Sequence, residues 1–160
     1  MTAEENLKRL GIILPEPPAA VGKYVPWIRT GSLVMTSGQL PWERSVMKYQ
    51  GRLGRDLTTE EGYAAARLAA INAIAQLKDA TGDLEKVVTL LRLEGNVLCE
   101  EGFTEHPRVL DGASDLLAEV FEERGKHTRT ALGIRDMPLN AAVQISLFAE
   151  VRVTAPQNIR

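Results

Sequence analysis

The sequence predicts an α+β fold, a mixed β-sheet with two helices packed on one face. Three observations carry this. Val143, Ile145, Leu147, Ala149, Val151 and Val153 alternate with a second row, the two-residue period of a strand. Two long segments show helical spacing with explicit start and stop residues. The order hairpin, helix, strand, helix, strands interleaves the two element types.

Taken in order, "TAEE" is a capping box: Thr2 can accept an amide proton at a helix start, and Glu5 can reach back. Gly11 tolerates the left-handed geometry that ends such a helix. "PEPP" at 15–18 reads as a linker, so residues 1–16 form an N-terminal helix and linker, and 17–155 a single domain. "KYVPWIRT" and "SLVMTSGQ", around "TGS", read as a β-hairpin. "PWERSVMKYQGRLGRD" has no clear period and bends at Pro41, Gly51 and Gly54, so it reads as a long loop with room for one short strand. "TTEEGYAAARLAAINAIAQLKDATG" is the strongest helix. Thr58 and Glu61 cap it, Ala64, Leu68, Ile71 and Ala75 form its apolar step, and Gly82 closes it. "KVVTLLRLEGNV" is a central strand by its Val and Leu content. "DGASDLLAEVFEERG" is the second sheet-packing helix, with Ala113, Leu116, Leu117, Val120 and Phe121 on one face and Gly125 as its stop. In the final strand's other row, Phe148 stands among the neutral Gln144 and Ser146, a mix that predicts cover by another subunit in a closed oligomer.

Composition bounds the function. The chain has 160 residues, 44% of them hydrophobic, enough for one domain with a real core. A net charge of -2 gives no reason to expect nucleic acid or a membrane surface as partner. Cys99 is the only cysteine, which excludes an internal disulfide and fits a reducing cytoplasm. "MTAEENLKRLG" has charges where a signal peptide needs an apolar run, and no apolar run approaches a membrane span. His106 and His127, the only histidines, lack partners at metal-ligand spacing, and no phosphate loop or dinucleotide fingerprint is present. The reading is therefore no metal and no cofactor.

Arg129 lies between Thr128 and Thr130, past a helix stop and before the apolar "ALGI". It is either a solvated arginine at a strand start or a planar fork for a carboxylate. The flanking threonines offer hydroxyls to the ligand or to the guanidinium. His127 reads as a surface or interface histidine. Cys99 reads as a small buried hydrophobe, since Glu100 and Glu101 would raise its thiol pKa. "TSGQLP" reads as a turn without the flanking glycines of a nucleophile elbow. Tyr24 reads as packing with its hydroxyl at a rim.

Several segments together resemble the Rid (reactive intermediate deaminase) family, also called the YjgF-like or L-PSP endoribonuclease family. They are "PPAAVGKY", "LVMTSGQLP", "GRLGRDLTTEEGYAAARLAAINAIAQLKDATGDLEKVV" and "HTRTALGIRDMP" with "AVQISLFAEV", spanning about residues 17–153. The N-terminal helix and "HPRVLDGASDLLAEVFEERGKHTRTALG" resemble a divergent branch labelled chorismate-mutase-like, a label that reflects fold and not mutase activity. The resemblance implies a homotrimer with clefts between subunits, in which the best-known members hydrolyse 2-imino acids to 2-oxo acids and ammonia. It implies that Arg129 grips the substrate carboxylate, that Tyr24 lines the cleft, and that Gly38, after Ser37, turns its carbonyl to the reacting centre. Ala131 stands where deaminases often have a cysteine that lends its backbone N–H. The deaminases hold the attacking water with a carboxylate on the final strand, and the alignment puts Ser146 there. Glu100, Glu101 and His127 are the candidates to replace that carboxylate. A non-catalytic trimer that senses or buffers a carboxylate ligand is the alternative, ahead of an endoribonuclease or a chorismate mutase.

Overall fold

The computed structural model describes residues 1–20 and 22–153. The domain end placed at 155 lies outside them, as does Val21 of "PPAAVGKY". The end signals are made as the sequence indicates. In α1 (Ala3–Arg9), Thr2 Oγ1 accepts from the Glu5 N–H at 3.1 Å and Glu5 Oε2 from the Thr2 N–H at 2.9 Å. Thr58 and Glu61 repeat this at the head of α2 (Thr59–Thr81), which Gly82 ends at φ 72°. Helix α3 (His106–Phe121) begins earlier than its apolar spacing indicates, with Pro107 in its first turn, and runs into a 3₁₀ turn at Glu122–Gly125.

The hairpin forms as β1 (Trp27–Thr30) and β2 (Leu33–Thr36). The segment read as a loop contains a second, smaller hairpin, β3 (Trp42–Glu43) with β4 (Val46–Met47). Strands β5 (Val87–Leu98), β6 (Thr128–Ile134) and β7 (Val143–Val151) complete a five-stranded sheet in the order β1-β2-β7-β5-β6. Only β5 and β6 are parallel, so the sheet is mixed.

Both long helices lie on one face. The row Val143, Ile145, Leu147, Ala149 and Val151 is buried beneath them. The apolar step assigned to α2 needs correction. Ala64, Leu68 and Ile71 are half-buried, whereas Ala65, Ala66, Ala69, Ala70, Ala73 and Ile74 are fully buried. Helix α2 touches both the sheet and α3, so it buries two sides, and small residues let both neighbours approach.

The N-terminal helix belongs to the same core. Ala3 and Leu7 are buried in it, and Asn6 Nδ2 donates to the Val120 carbonyl at 3.1 Å. The Ala3 N–H donates to Glu85 at 2.8 Å, and Arg124 donates to the same oxygen at 2.9 Å. Burial alone would raise the Glu85 pKa, but these two donors hold it below the ordinary carboxylate value. The boundary at 16 therefore divides the chain and not the core. Among the described residues no helix is long and apolar enough to cross a membrane.

Candidate functional site

The residues singled out by sequence fall into two groups. The first surrounds a cavity of about 360 Å³ lined by Tyr24, Ser37, Gly38, Trp42, Leu139 and Gln144, among others. Its floor is built by an irregularity in the β2–β7 pairing. Met35 pairs with Phe148 and Gln39 with Ile145, so the β2 side takes four steps where β7 takes three. The extra residue bends the chain at Ser37 and Gly38. Thr36 Oγ1 accepts the Leu147 N–H at 3.0 Å there, and Ser37 is tied to the approach to β1 by its hydroxyl to the Val25 carbonyl at 2.7 Å. Gly38 lets a side chain approach closely: a Cβ there would stand 2.4 Å from Cδ of Gln144, and the carboxamide would have to move away. Asn72 of α2 fixes the rim by donating to the Leu40 and Trp42 carbonyls at 2.9 and 3.0 Å. Leu139, also on the rim, holds φ 59°, a left-handed conformation unusual for leucine.

Gln144 is the residue that sequence reasoning missed. The bulge carries its carboxamide over Gly38, and its Oε1 accepts from Asn96 Nδ2 at 3.4 Å. Ser146 does not line this cavity. It sits on the sheet face that no described helix covers, opposite Glu94 of β5 and in one register row with Thr130 of β6. The signal that could have found Gln144 is the alternation of β7 itself, which puts residues 144 and 146 on the same face one pleat apart. An unrecognised bulge decides which of them meets Gly38.

The second group surrounds Arg129 on the edge strand β6. Its side chain turns to the helix layer. Nη1 donates to Asp111 Oδ1 at 2.9 Å and to Ser114 Oγ at 3.1 Å, and Nη2 donates to the Pro107 carbonyl at 3.4 Å. His127 is part of this network. Its Nδ1 lies 2.6 Å from the Gly125 carbonyl and its Nε2 3.0 Å from Ser114 Oγ. A carbonyl only accepts, so Nδ1 donates to it, and in the neutral imidazole Nε2 then accepts from the Ser114 hydroxyl. The Arg129 fork thus has Nη1 engaged by Asp111 and Ser114 and Nη2 by the Pro107 carbonyl, while Nε has no hydrogen-bond partner among the described residues. Ala131 follows on the same side of β6, opposite Gly95, and packs against the core.

Strands β7 and β5 separate β2 from β6, so the two groups do not meet within one chain. Three strand spacings of about 4.8 Å put roughly 14 Å between β2 and β6. Cys99, Glu100 and Glu101 lie with neither group; they line another cavity, of about 630 Å³.

Comparison with known proteins agrees with this architecture. The family model described as "YjgF/chorismate_mutase-like, putative endoribonuclease" matches residues 4–151. Protein TCP17 of Trypanosoma cruzi is 41% identical over 147 residues, 91% of this chain and 92% of that protein. A 2-iminobutanoate/2-iminopropanoate deaminase of Salmonella typhimurium is 32% identical over 94 residues, 56% of this chain and 69% of its own. The crystal structure of a putative endoribonuclease from Shewanella oneidensis MR-1 superposes with TM-score 0.92 at 49% identity, covering 94% of this chain and 100% of that one.

Proposed function

The chain belongs to the YjgF/chorismate mutase-like family, and from that premise we propose that it binds a small 2-imino or 2-oxo acid in clefts between the subunits of a homotrimer. One observation carries the reading. The cavity over Gly38 lies at β2 and β7 and the Arg129 fork on the edge strand β6, with β5 between them, and a second copy of the chain would bring the two together. The uncovered sheet face supports such an assembly. Ile28, Met35 and Phe148 share one register row across it, and Ile28 is 53% exposed.

In this cleft Arg129 holds the ligand carboxylate through its Nε and Nη2 edge. Tyr24, Ser37 and Gly38 of the facing copy enclose the other end. Thr130 and Ala131 continue β6 beside the fork. The chemistry is imine hydrolysis: water adds to the imine carbon and ammonia leaves. Asp111 is tied up by its pair with Arg129, so His127, linked to the arginine through Ser114, is the group we assign to accept a proton. The likeness to the Salmonella deaminase supports this substrate class. The endoribonuclease label has less support, because a chain of net charge -2 lacks the basic character of an RNA-binding surface.

Gln144 favours a second reading, binding without turnover. A carboxamide over Gly38 can orient a water or a carbonyl oxygen, but it cannot take a proton as a carboxylate does. The deciding experiment measures 2-oxobutyrate formation from 2-iminobutanoate generated in situ, beside calorimetric titration with 2-oxobutyrate. Turnover with binding supports the hydrolase, binding alone supports the metabolite binder, and neither would overturn the carboxylate-site reading.

A further inference from the structure

A different constellation occupies the far end of β5. Cys99 follows that strand and His106 opens α3, with Sγ and Nε2 3.4 Å apart, within reach of a hydrogen bond through sulfur. The ring of Phe103 meets the imidazole edge-on, with centroids 5.3 Å apart and planes at 86°, which fixes the plane of His106. Gly133 of β6 lies against both groups. A Cβ there would stand 2.4 Å from His106 Nε2 and 2.8 Å from Cys99 Sγ, so a side chain at 133 would push the pair apart. The Cys99 backbone is also held, because Arg52 donates to its carbonyl at 3.3 Å.

The pair lines the cavity of about 630 Å³, a volume in the range of small-molecule sites. Arg52, Arg55 and Arg135 stand around it with Glu100 and Glu101. Asp136 pairs with Arg52 and Arg135, and Asp56 pairs with Arg55. The charges answer one another, so the cavity exerts little net pull on an ion.

We propose that Cys99 and His106 form a nucleophilic thiol site that adds to small uncharged electrophiles, alkenes conjugated to a carbonyl, taken up in this cavity. In the step, His106 Nε2 accepts the Sγ proton as sulfur bonds to the β-carbon. The π electrons move to the α-carbon, which then takes the proton back from His106. Thiol and alkene become a thioether with nothing else consumed or released. Burial raises the Cys99 pKa above the ordinary thiol value, against a lowering pull from Arg52, so little thiolate stands ready at neutral pH. Reactivity therefore rests on proton transfer to His106 during the attack.

The sole cysteine makes the test clean. The probe is N-ethylmaleimide, and intact mass follows the adduct at pH 7. The native protein should react at least about tenfold faster than the same chain unfolded in urea, each rate being referred to glutathione under the same conditions. His106→Gln should abolish that advantage while the thermal melt stays within a few degrees. A thiol that is merely half-buried gives the opposite order, slower folded than unfolded. That order, or equal rates in wild type and His106→Gln, would overturn the proposal. The result does not depend on the Arg129 cleft, so each reading stands or falls alone.

Discussion

Arg129 and Asp111 are joined at 2.9 Å from strand β6 to helix α3, so the arginine already has one carboxylate partner within its own chain. The pair fixes the direction of the guanidinium and leaves one edge of the fork for a ligand. A charge-assisted bond of this kind contributes ~1.5–3 kcal/mol. Arg129→Ala should therefore weaken 2-oxobutyrate binding roughly ten- to a hundredfold, at ~1.4 kcal/mol per factor of ten. Arg129→Lys should recover part of this, because an ammonium keeps the charge without the planar fork. The thermal melt should move little, since a partly exposed ion pair contributes ~1 kcal/mol or less. Equal affinity in wild type and Arg129→Ala by calorimetry would make Arg129 a tie between helix and sheet and nothing more.

The bulge at Ser37 and Gly38 leads to a paired prediction on the final strand. Gln144→Glu puts a carboxylate over Gly38 and should raise hydrolysis of 2-iminobutanoate at least tenfold, since a positioned acid–base group is typically worth ~10²–10⁴. Ser146→Glu, on the uncovered face, should leave the rate where it was. The reverse ranking in a coupled assay would show that Ser146 and not Gln144 faces the reacting carbon.

Assembly is checked by mass. Sedimentation equilibrium at micromolar concentration should give about three times the 17.6 kDa chain. Phe148→Lys places a charge in the middle of the uncovered face and should shift the protein towards monomer. Binding of 2-oxobutyrate should fall with it. A Phe148→Lys monomer with full affinity would place the whole site within one chain.

The docking of α1 predicts an acid response. Glu85 and Glu122 both have pKa values below the ordinary 4.5. Glu85 is held there by Ala3 and Arg124 against the effect of burial, and Glu122 by Asn6 and the N-terminal ammonium. A depressed carboxylate adds stability above its unfolded pKa, and that stability is lost as pH falls through the folded value. Amide exchange in residues 3–9 should therefore quicken below about pH 4 before the central strands open. Glu85→Gln should reduce this pH dependence. Unchanged protection of α1 down to pH 3 would show that these carboxylates do not hold it.

The elements legible in the sequence are those that announce themselves locally. The capping boxes at Thr2 and Thr58 and the stop at Gly82 form as read, and so does the alternation of β7 as far as Val151, whereas Val153, read as part of the same inner row, lies past the strand end and is exposed. The small hairpin β3–β4 was not legible, for a definite reason. Its two-residue loop is Arg44-Ser45, with φ 48° and 65°, where such turns ordinarily announce themselves by Asn-Gly or Asp-Gly. The start of α3 was hidden because no side-chain cap marks it. Tyr24, Ser37 and Gly38 do gather at one cavity, but its fourth wall, Gln144, depends on a register shift that period counting cannot detect. The Cys99–His106 pair depends on a missing side chain at Gly133, on a different strand.

The position of β7 has a consequence for how the chain comes to be folded. It is the last strand along the described chain and the middle strand of the sheet, paired with β2 on one side and β5 on the other. While the chain is being synthesised from its N-terminus, β1–β2 and β5–β6 stand as two separate pieces, and α2 has no strand row on which to lay its alanines. The sheet closes only after about residue 151 is free, by contacts far apart in sequence. Until then the inner edges of β2 and β5 are open to any other strand, including those of a neighbouring nascent chain. A ribosome-bound chain ending near residue 142 should therefore remain protease-sensitive throughout its sheet strands, and one extended well past 151 should become resistant in a single step.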